Sequence, residues 1–339
     1  MSHRPDSSSR PASSRPLWLA IFLIAGSIVS LLVALLALYA LLGTDGAILS
    51  PSGPVPATSS PPTATRVSAV GAGLTLHVTP IPRPDVPLLQ QFMLALINED
   101  RRARGLTELV WDRTAAQAGL LHAQEMARFG YVSHWNLRGQ GPDYRYSLVG
   151  GTDTVRENVY RYQYSPADGP VTVDDWKSLV RRAQRELMDS PGHRDNILAR
   201  EHTHVGIGIA CGVRHGWLVI TQEFVGHYLT LQPLPRQASV GDVITVAGEL
   251  ANGLRSPTLN LAYEPLPSPR SAAELSTTGG YSSAAQVYAA VALAVDDDGR
   301  FERRVGLDYE GRPGLYHVRI WGDTALGRVL AADVVLEVR

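Results

Sequence analysis

The chain has 339 residues, of which 31 are lysine or arginine and 32 are aspartate or glutamate, so its formal net charge is -1. This length exceeds that of one typical domain and predicts two globular units with additional segments. The balanced charge lacks the basic surplus of nucleic-acid-binding proteins, and we expect no nucleic-acid partner. With a single cysteine, Cys211, the chain cannot form an intrachain disulfide.

An uncharged and almost wholly apolar segment covers residues 17–42. At about 1.5 Å per helical residue it exceeds the roughly 30 Å hydrocarbon core of a bilayer, which predicts a transmembrane helix. A cleaved signal peptide would have a shorter apolar core, about 7–15 residues, followed by a small-residue cleavage site. Three arginines precede the segment, and the first charge after it is Asp45. The positive-inside rule then predicts a single-pass plasma-membrane protein with residues 1–16 in the cytoplasm and the bulk of the chain outside.

Residues 43–86 are rich in proline, serine and threonine. Such a composition cannot bury an apolar core and is typical of an extended tether. We therefore interpret this segment as an extracellular linker.

Residues 87–228 show the patterns of a mixed α/β domain. Apolar residues at three- and four-residue steps predict amphipathic helices at residues 87–105, 111–130 and 173–188. Two short apolar runs, residues 204–211 and 216–224, are separated by a glycine-containing turn and predict a β-hairpin. Helices around a terminal pair of strands indicate an α+β fold with αβα layers.

Residues 229–339 change to short strands and turns, and we predict an all-β sandwich of immunoglobulin-like character. The predicted strands are residues 240–250, 287–295, 301–307, 315–320 and 329–338. The Asp298-Gly299 pair predicts a tight hairpin turn. The acidic run Asp296–Asp298 lacks the ligand spacing and terminal glutamate of a calcium loop.

Four ionisable residues in the middle of the chain are candidates for a site: His134, Glu157, Glu186 and His193. Two imidazoles and two carboxylates this far apart in sequence can meet only in a folded domain. Ser190 and Pro191 before His193 also form a helix start, so part of that motif is architectural.

The motifs of residues 87–228 resemble the bacterial branch of the CAP superfamily. This is the SCP-like extracellular domain shared with cysteine-rich secretory proteins, antigen 5 and plant pathogenesis-related proteins. The resemblance rests on ordered motifs that include Asn98, Arg101, Leu109–Trp111, His122, Ser133-His134, Glu157-Asn158, Ser190–Leu198, Val205–Gly208 and Gln222–Phe224.

The resemblance implies an αβα sandwich with a surface cleft lined by two histidines and two acidic residues, which in some members binds a divalent metal such as zinc. His134 and His193 match the histidines, and Glu157 matches the acidic residue of the Glu-Asn motif. These three residues are therefore the candidate metal ligands, with Glu186 as the fourth cleft residue. Arg156 replaces the glycine that usually precedes Glu-Asn.

Three functions fit this sequence. The first, which we favour, is a binding or signalling module for a cell-envelope, lipid or protein ligand. The second is a metal-dependent hydrolase of peptide or envelope substrates in which Glu157 acts as a general base. However, the chain has no His-Glu-x-x-His or Gly-x-Ser-x-Gly motif. The third is a structural surface protein whose β-sandwich mediates adhesion.

Overall fold

A four-stranded sheet organises the first half of the folded chain. Its order is β1-β3-β4-β2, in which β2, β3 and β4 are antiparallel and the short β1 runs parallel to β3. The strands are β1 (Val110–Trp111), β2 (Val155–Gln163), β3 (His204–Gly212) and β4 (Trp217–Val225). The antiparallel pairing of β3 with β4 confirms the predicted hairpin.

The computed structural model describes residues 84–163, 172–212 and 216–339. The predicted cytoplasmic tail, the transmembrane helix at 17–42 and nearly all of the predicted linker lie outside these residues. Across the described ranges, each helix is too short or too polar to cross a membrane.

Helices cover both faces of the sheet. They are α1 (Val86–Arg102), α2 (Arg113–Phe129), α3 (Pro142–Leu148), α4 (Val173–Asp189) and α5 (Pro191–Leu198). One face buries α1 and α4 through residues such as Met93 and Val180, whereas the other buries α2 through residues such as Ala123 and Met126. The predicted αβα layering of this half is therefore present.

Local signals explain where these helices begin and end. The side chain of Asp112 accepts a hydrogen bond from the Ala115 amide at the start of α2, and Gly130 ends this helix in the left-handed conformation. The buried guanidinium of Arg101 donates to the carbonyls of Ile197 and Ala199, which ties the end of α1 to the end of α5.

Small residues allow α2 to lie directly on β3. A Cβ at Gly206 would overlap the backbone of Ala115 and Ala116, and one at Gly208 would overlap the backbone of Gly119. These contacts are made by main-chain atoms, which cannot swing away as a flexible side chain would.

Two further sheets enclose the core of the second half. One has the order β10-β7-β5 and the other the order β6-β12-β11-β8-β9. Val246 from the first sheet and Leu261 and Val318 from the second belong to the same buried cluster. The elements are β5 (Leu229–Leu231), β6 (Gln237–Ala238), β7 (Val243–Leu250), β8 (Arg255–Glu264), α6 (Ala272–Leu275), β9 (Gln286–Ala292), β10 (Arg300–Gly306), β11 (Gly314–Thr324) and β12 (Gly327–Val338).

The prediction of a β-hairpin at Asp298-Gly299 is wrong. The turn itself exists, with Gly299 at φ 81°, but β9 pairs with β8 and β10 pairs with β7. The turn therefore carries the chain from one sheet to the other. A tight turn specifies a reversal of direction, whereas strand pairing is decided by the packing of both sheets.

We predict that Gly206→Ala lowers the free energy of unfolding by about 3 kcal/mol, because the added methyl group has to displace the backbone of α2. Urea unfolding followed by circular dichroism measures the change. Gly279→Ala is the matched control, since no heavy atom lies within 4 Å of a Cβ at that position; its effect should stay below about 0.5 kcal/mol. Equal effects of the two substitutions would contradict the proposed close packing.

Candidate functional site

His134 and Glu157 meet near the start of β2. Glu157 lies on this strand, and His134 lies in the connection between α2 and α3. The Nδ1 atom of His134 is 2.8 Å from Oε1 of Glu157, whose side chain is only 1% exposed. A carboxylate at Nδ1 fixes the imidazole ring and leaves Nε2 for other contacts.

Arg145 completes this arrangement from α3. Its Nη2 donates to Oε2 of Glu157 at 2.8 Å and to the carbonyl of His134 at 3.1 Å. One guanidinium therefore holds both the carboxylate and the loop that carries the histidine. Arg145 could not be identified from the sequence, because no motif marks it and its contact with Glu157 depends on tertiary packing.

Glu157 is ionised despite being buried. Burial alone would raise its pKa, but the nearby Arg145, His122 and His134 outweigh that effect and hold the pKa well below its usual range. Burial would likewise lower the pKa of Arg145, and Glu157 and Glu223 raise it instead. The two charges thus depend on each other for their stability inside the domain.

A second carboxyl group, that of Glu223, lies directly across the strand ladder from Glu157. Burial and the charge of Glu157 raise the pKa of Glu223 well above its usual range, so Glu223 keeps its proton to a higher pH than Glu157 does. Nearby, Nε2 of His122 lies 2.8 Å from the carbonyl of Ser133. Burial lowers the pKa of His122 to about 3, which keeps this ring neutral.

His193 enters the site from the first turn of α5. Its Nδ1 is 2.9 Å from Oγ of Ser190, and burial followed by the proximity of His134 lowers its pKa. The carbonyl of His193 accepts from Nδ2 of Asn158, whose Oδ1 accepts from Asn196 at 2.9 Å. These amide contacts fasten α5 to β2 and so set the position of the second imidazole.

The two imidazoles line a cavity of about 380 Å³ together with Glu157. Its remaining walls are mostly polar or small: Pro142, Val155, Arg156, Ser190, Gly192, Asn196, Gly280 and Tyr281. The structure thus brings together His134, Glu157 and His193.

Glu186 does not join them. Its carboxylate accepts from Nε of Arg182 at 2.6 Å and from the hydroxyl of Tyr160 at 2.9 Å, and it is not part of the cavity wall. The side chain lies on a largely exposed stretch of α4, where its i, i+4 partner Arg182 is within reach. Glu186 is close to His193 in sequence, but its side chain does not line the cleft.

The geometry of Glu157 bears on metal binding. Both of its oxygens already accept hydrogen bonds, from His134 and from Arg145. In the described part of the chain, His134, Glu157 and His193 are not among the groups of three whose ligand atoms lie within 4.8 Å of one another. Glu157 therefore orients His134, and the two histidines are the residues that would hold a metal ion.

The second half of the chain supplies part of the cavity wall, although no motif in its sequence predicts this. Gly280 and Tyr281 lie in the connection between β8 and β9, residues 265–285. The ring of Tyr281 packs edge-on against Trp135 with centroids 5.3 Å apart, and its hydroxyl donates to Oδ1 of Asp143 at 2.7 Å. A Cβ at Gly141 would overlap this ring, so glycine is required for the contact.

Further contacts hold the same connection against the loop that carries His134. The hydroxyl groups of Ser133 and Thr278 are 2.7 Å apart, and the Arg270 amide donates to the carbonyl of Leu137. Leu275 is fully buried in the cluster that contains Met126. The β8–β9 connection thus forms part of the site's support as well as part of its wall.

We predict that Glu223→Gln stabilises the protein increasingly as pH rises. A carboxyl group with a raised folded-state pKa holds its proton longer in the folded state than in the unfolded chain. The contribution of Glu223 to the free energy of unfolding therefore falls as pH rises above about 4.3, by about 1.4 kcal/mol per pH unit while Glu223 stays protonated in the folded protein. Glutamine has nearly the same shape as protonated glutamate and does not titrate, so the variant lacks this loss of stability. Urea unfolding between pH 5 and 8 measures the difference.

The exposed Glu302 on β10 provides the control, and Glu302→Gln should leave the pH profile unchanged. A Glu223→Gln profile parallel to that of the wild type would show that Glu223 is ionised in the folded protein.

Comparison with known proteins places part of the chain in a sequence family. Residues 94–224 match the sequence model of the CAP family, described as the cysteine-rich secretory protein family. The membrane protein YlbC of Bacillus subtilis is 29% identical over 118 residues, which are 34% of this chain and 30% of YlbC. YkwD from the same organism is 29% identical over 142 residues, 42% of this chain and 48% of YkwD. The chain thus spans less than half of either relative.

Among solved structures, an extracellular protein with an SCP domain from Bacillus anthracis is 22% identical, with a TM-score of 0.33. The match covers 42% of this chain and 41% of that protein. The family match over residues 94–224 confirms the predicted resemblance. These residues form a bacterial CAP-superfamily domain.

Proposed function

We propose that this protein is an extracellular, membrane-anchored binding module whose CAP cleft captures a polar ligand of the cell envelope. The proposal places the anchor at residues 17–42, an assignment supported by the apolar run and in keeping with the membrane-protein relative YlbC. It also treats residues 229–339 as an immunoglobulin-like sandwich, supported by two sheets around one core.

One observation carries the choice of binding over catalysis. Glu157, the residue that a hydrolytic mechanism would use as its base, is almost fully buried and has both oxygens engaged. Activating a water molecule needs a carboxylate that can reach it. Here the carboxylate supports the imidazole of His134 instead, which favours recognition through the histidine rings.

The composition of the cavity wall indicates the class of ligand. Ser190 and Asn196 present a hydroxyl and an amide, Arg156 adds a positive charge, and Tyr281 offers an aromatic face. Pro142 and Val155 are the aliphatic residues of this wall, and its several hydrogen-bonding groups suit a glycan or peptide better than a lipid tail.

A divalent metal such as zinc is a second ligand that His134 and His193 would hold. The lowered pKa of His193 keeps its imidazole neutral near pH 7, the state in which it can coordinate a metal. Such an ion would supply Lewis-acid polarisation to a bound group.

The alternative function is hydrolysis, and the 2.8 Å contact between His134 and Glu157 favours it. A histidine oriented by a carboxylate at Nδ1 is a common general base. A test of binding therefore also has to measure whether the ligand is cleaved.

We predict that His193→Ala weakens binding of a peptidoglycan disaccharide–tetrapeptide at least tenfold in isothermal titration calorimetry of the full-length chain. The expected loss follows from removing one of the two imidazoles that face the cavity. His204→Ala is the matched control, because His204 stacks on His227 outside the cavity wall, and it should bind like the wild type. A parallel titration with Zn²⁺ reports whether the same imidazole pair holds a metal.

Three results would contradict the binding proposal. Binding that is equal in His193→Ala and the wild type would place recognition elsewhere, as in an adhesive β-sandwich. Binding of phosphatidylglycerol vesicles without binding of the fragment would indicate a lipid ligand. Cleavage of the fragment that disappears in His134→Ala would establish the hydrolase.

We predict that Tyr281→Ala weakens binding of the same fragment five- to tenfold, whereas Tyr281→Phe changes it less than threefold. The first substitution removes an aromatic wall of the cavity, and the second keeps the ring while losing the hydrogen bond to Asp143. Circular dichroism checks that both variants are folded. A folded Tyr281→Ala protein with unchanged affinity would show that the second half does not contact the ligand.

A further inference from the structure

A second cavity adjoins the cleft cavity that contains His134 and His193. Its volume is about 640 Å³, which is within the range of roughly 300–1,000 Å³ that is typical of small-molecule sites. Val155, Arg156 and Tyr281 line both cavities. The two spaces therefore lie side by side, and a ligand longer than the cleft cavity could continue into the second one.

Both halves of the folded chain build the second cavity. The first half contributes Thr154–Arg156 at the start of β2 and Arg200–His202 from the connection between α5 and β3. The second half contributes Trp321 of β11 and Arg328–Leu330 of β12. A ligand in this cavity would contact both halves at once.

The buried carboxylate of Asp333 in the cavity wall is fully engaged. Its Oδ1 is 2.8 Å from Nδ1 of His317, and its Oδ2 accepts from Nε of Arg319 at 2.9 Å. Burial would lower the pKa of His317, but Asp333 and Glu264 raise it to about 10 instead. Asp333 therefore lies between two cations and does not add a free negative charge to the cavity.

The other two carboxylates of the wall also have partners. Oδ1 of Asp143 accepts from the hydroxyl of Tyr281 at 2.7 Å, and burial raises the pKa of Asp143, which favours its neutral form. Oε1 of Glu201 lies 3.7 Å from Nη2 of Arg156. Neither group is a strong unpaired anion that would repel an acidic ligand.

Arg200 differs from these paired groups. Its side chain is exposed, and within residues 84–163, 172–212 and 216–339 it has neither a hydrogen bond nor an ion pair. A guanidinium with free N–H groups can form two parallel, charge-assisted hydrogen bonds with a carboxylate. The second cavity thus offers a cation to an ionised carboxylate of a ligand.

Trp321 adds an aromatic surface to the same cavity. Its ring is partly exposed, and the register of β11 against β12 shifts between Ile320 and Trp321. The pairing of β11 with β8 shifts between Trp321 and Asp323. Such irregularities re-aim a side chain, and they are over-represented next to binding and active sites. A large planar ring provides contact area for the apolar part of a ligand.

We propose that the second cavity is a subsite for the next unit of a polymeric envelope ligand, a glycan whose units carry peptides with free carboxylates. The inference rests on the proposed function of the cleft, which binds the first unit. Arg200 pairs with a carboxylate of the second unit, and Trp321 packs against its apolar part. Arg156 and Tyr281, which line both cavities, contact the junction between the units.

The test compares two ligands in calorimetric titrations of the full-length chain, purified in a mild detergent. The one-unit probe is the disaccharide–tetrapeptide, and the two-unit probe is the tetrasaccharide that carries two tetrapeptides. We expect the two-unit probe to bind the wild type at least about tenfold more tightly, because the second contact is made within one complex. Two identical units alone would give only a statistical gain of about twofold.

Arg200→Gln and Trp321→Ala should each reduce this gain to about twofold and leave the affinity for the one-unit probe within about twofold of the wild type. Arg303→Gln is the matched control, because Arg303 is an exposed arginine of β10 outside both cavities, and it should keep the full gain. His193→Ala should weaken both probes. Circular dichroism checks that each variant is folded.

Tryptophan fluorescence supplies a second readout. The two-unit probe should cause a change beyond that of the one-unit probe, and Trp321→Phe should lose this additional change while it keeps most of the affinity.

The results separate this inference from the proposed function. A wild type that binds the one-unit probe but gains no more than twofold from the second unit would overturn the inference alone. So would a full gain in folded Arg200→Gln and Trp321→Ala proteins, or an equal weakening of both probes by these substitutions. If neither probe bound the wild type, the proposed function and the second subsite would both be wrong.

Discussion

The buried ion pair between Arg145 and Glu157 is the constraint on which the rest of the site depends. Both side chains are more than nine-tenths buried, so neither could keep its charge without the other. The pair joins α3 to β2, and the second hydrogen bond of Arg145, to the carbonyl of His134, adds the loop between α2 and α3. Three separate segments are thereby fixed around one carboxylate, and the orientation of the His134 ring follows.

The same pair explains the unequal protonation of the two neighbouring carboxyl groups. Glu157 and Glu223 are opposite each other on adjacent strands, where two negative charges would repel strongly. Arg145 makes its hydrogen bond to Glu157, which settles which group stays ionised. The asymmetry is therefore set by a residue from a third element.

The helices and the β3–β4 hairpin of the first half could be predicted from the sequence because their signals are local. Periodic apolar residues and caps such as Asp112 and Gly130 mark the helices. By contrast, β8 was not predicted, since Pro257 interrupts the strand pattern near its beginning, where a missing amide costs little. The short α3, which carries Arg145, also gave no periodic signal.

For the site, His134, Glu157 and His193 were within reach of sequence reasoning because ordered motifs surround them. Glu186 was misplaced, since closeness along the chain does not determine which way a helix residue faces. Tyr281 and Asp143 could not have been connected at all. Their contact joins residues 138 positions apart across two halves that share no sequence pattern.

The packing of Leu275 against the CAP domain limits what a dissected protein could report. This leucine is fully buried among residues of the first half, including Met126 and Tyr131. A fragment that ends at residue 228 would expose that apolar patch to water and would lack one wall of the cavity that contains His134 and His193. Aggregation or altered ligand preference of such a fragment would then result from the newly exposed surface. Biochemical experiments therefore need the two halves together.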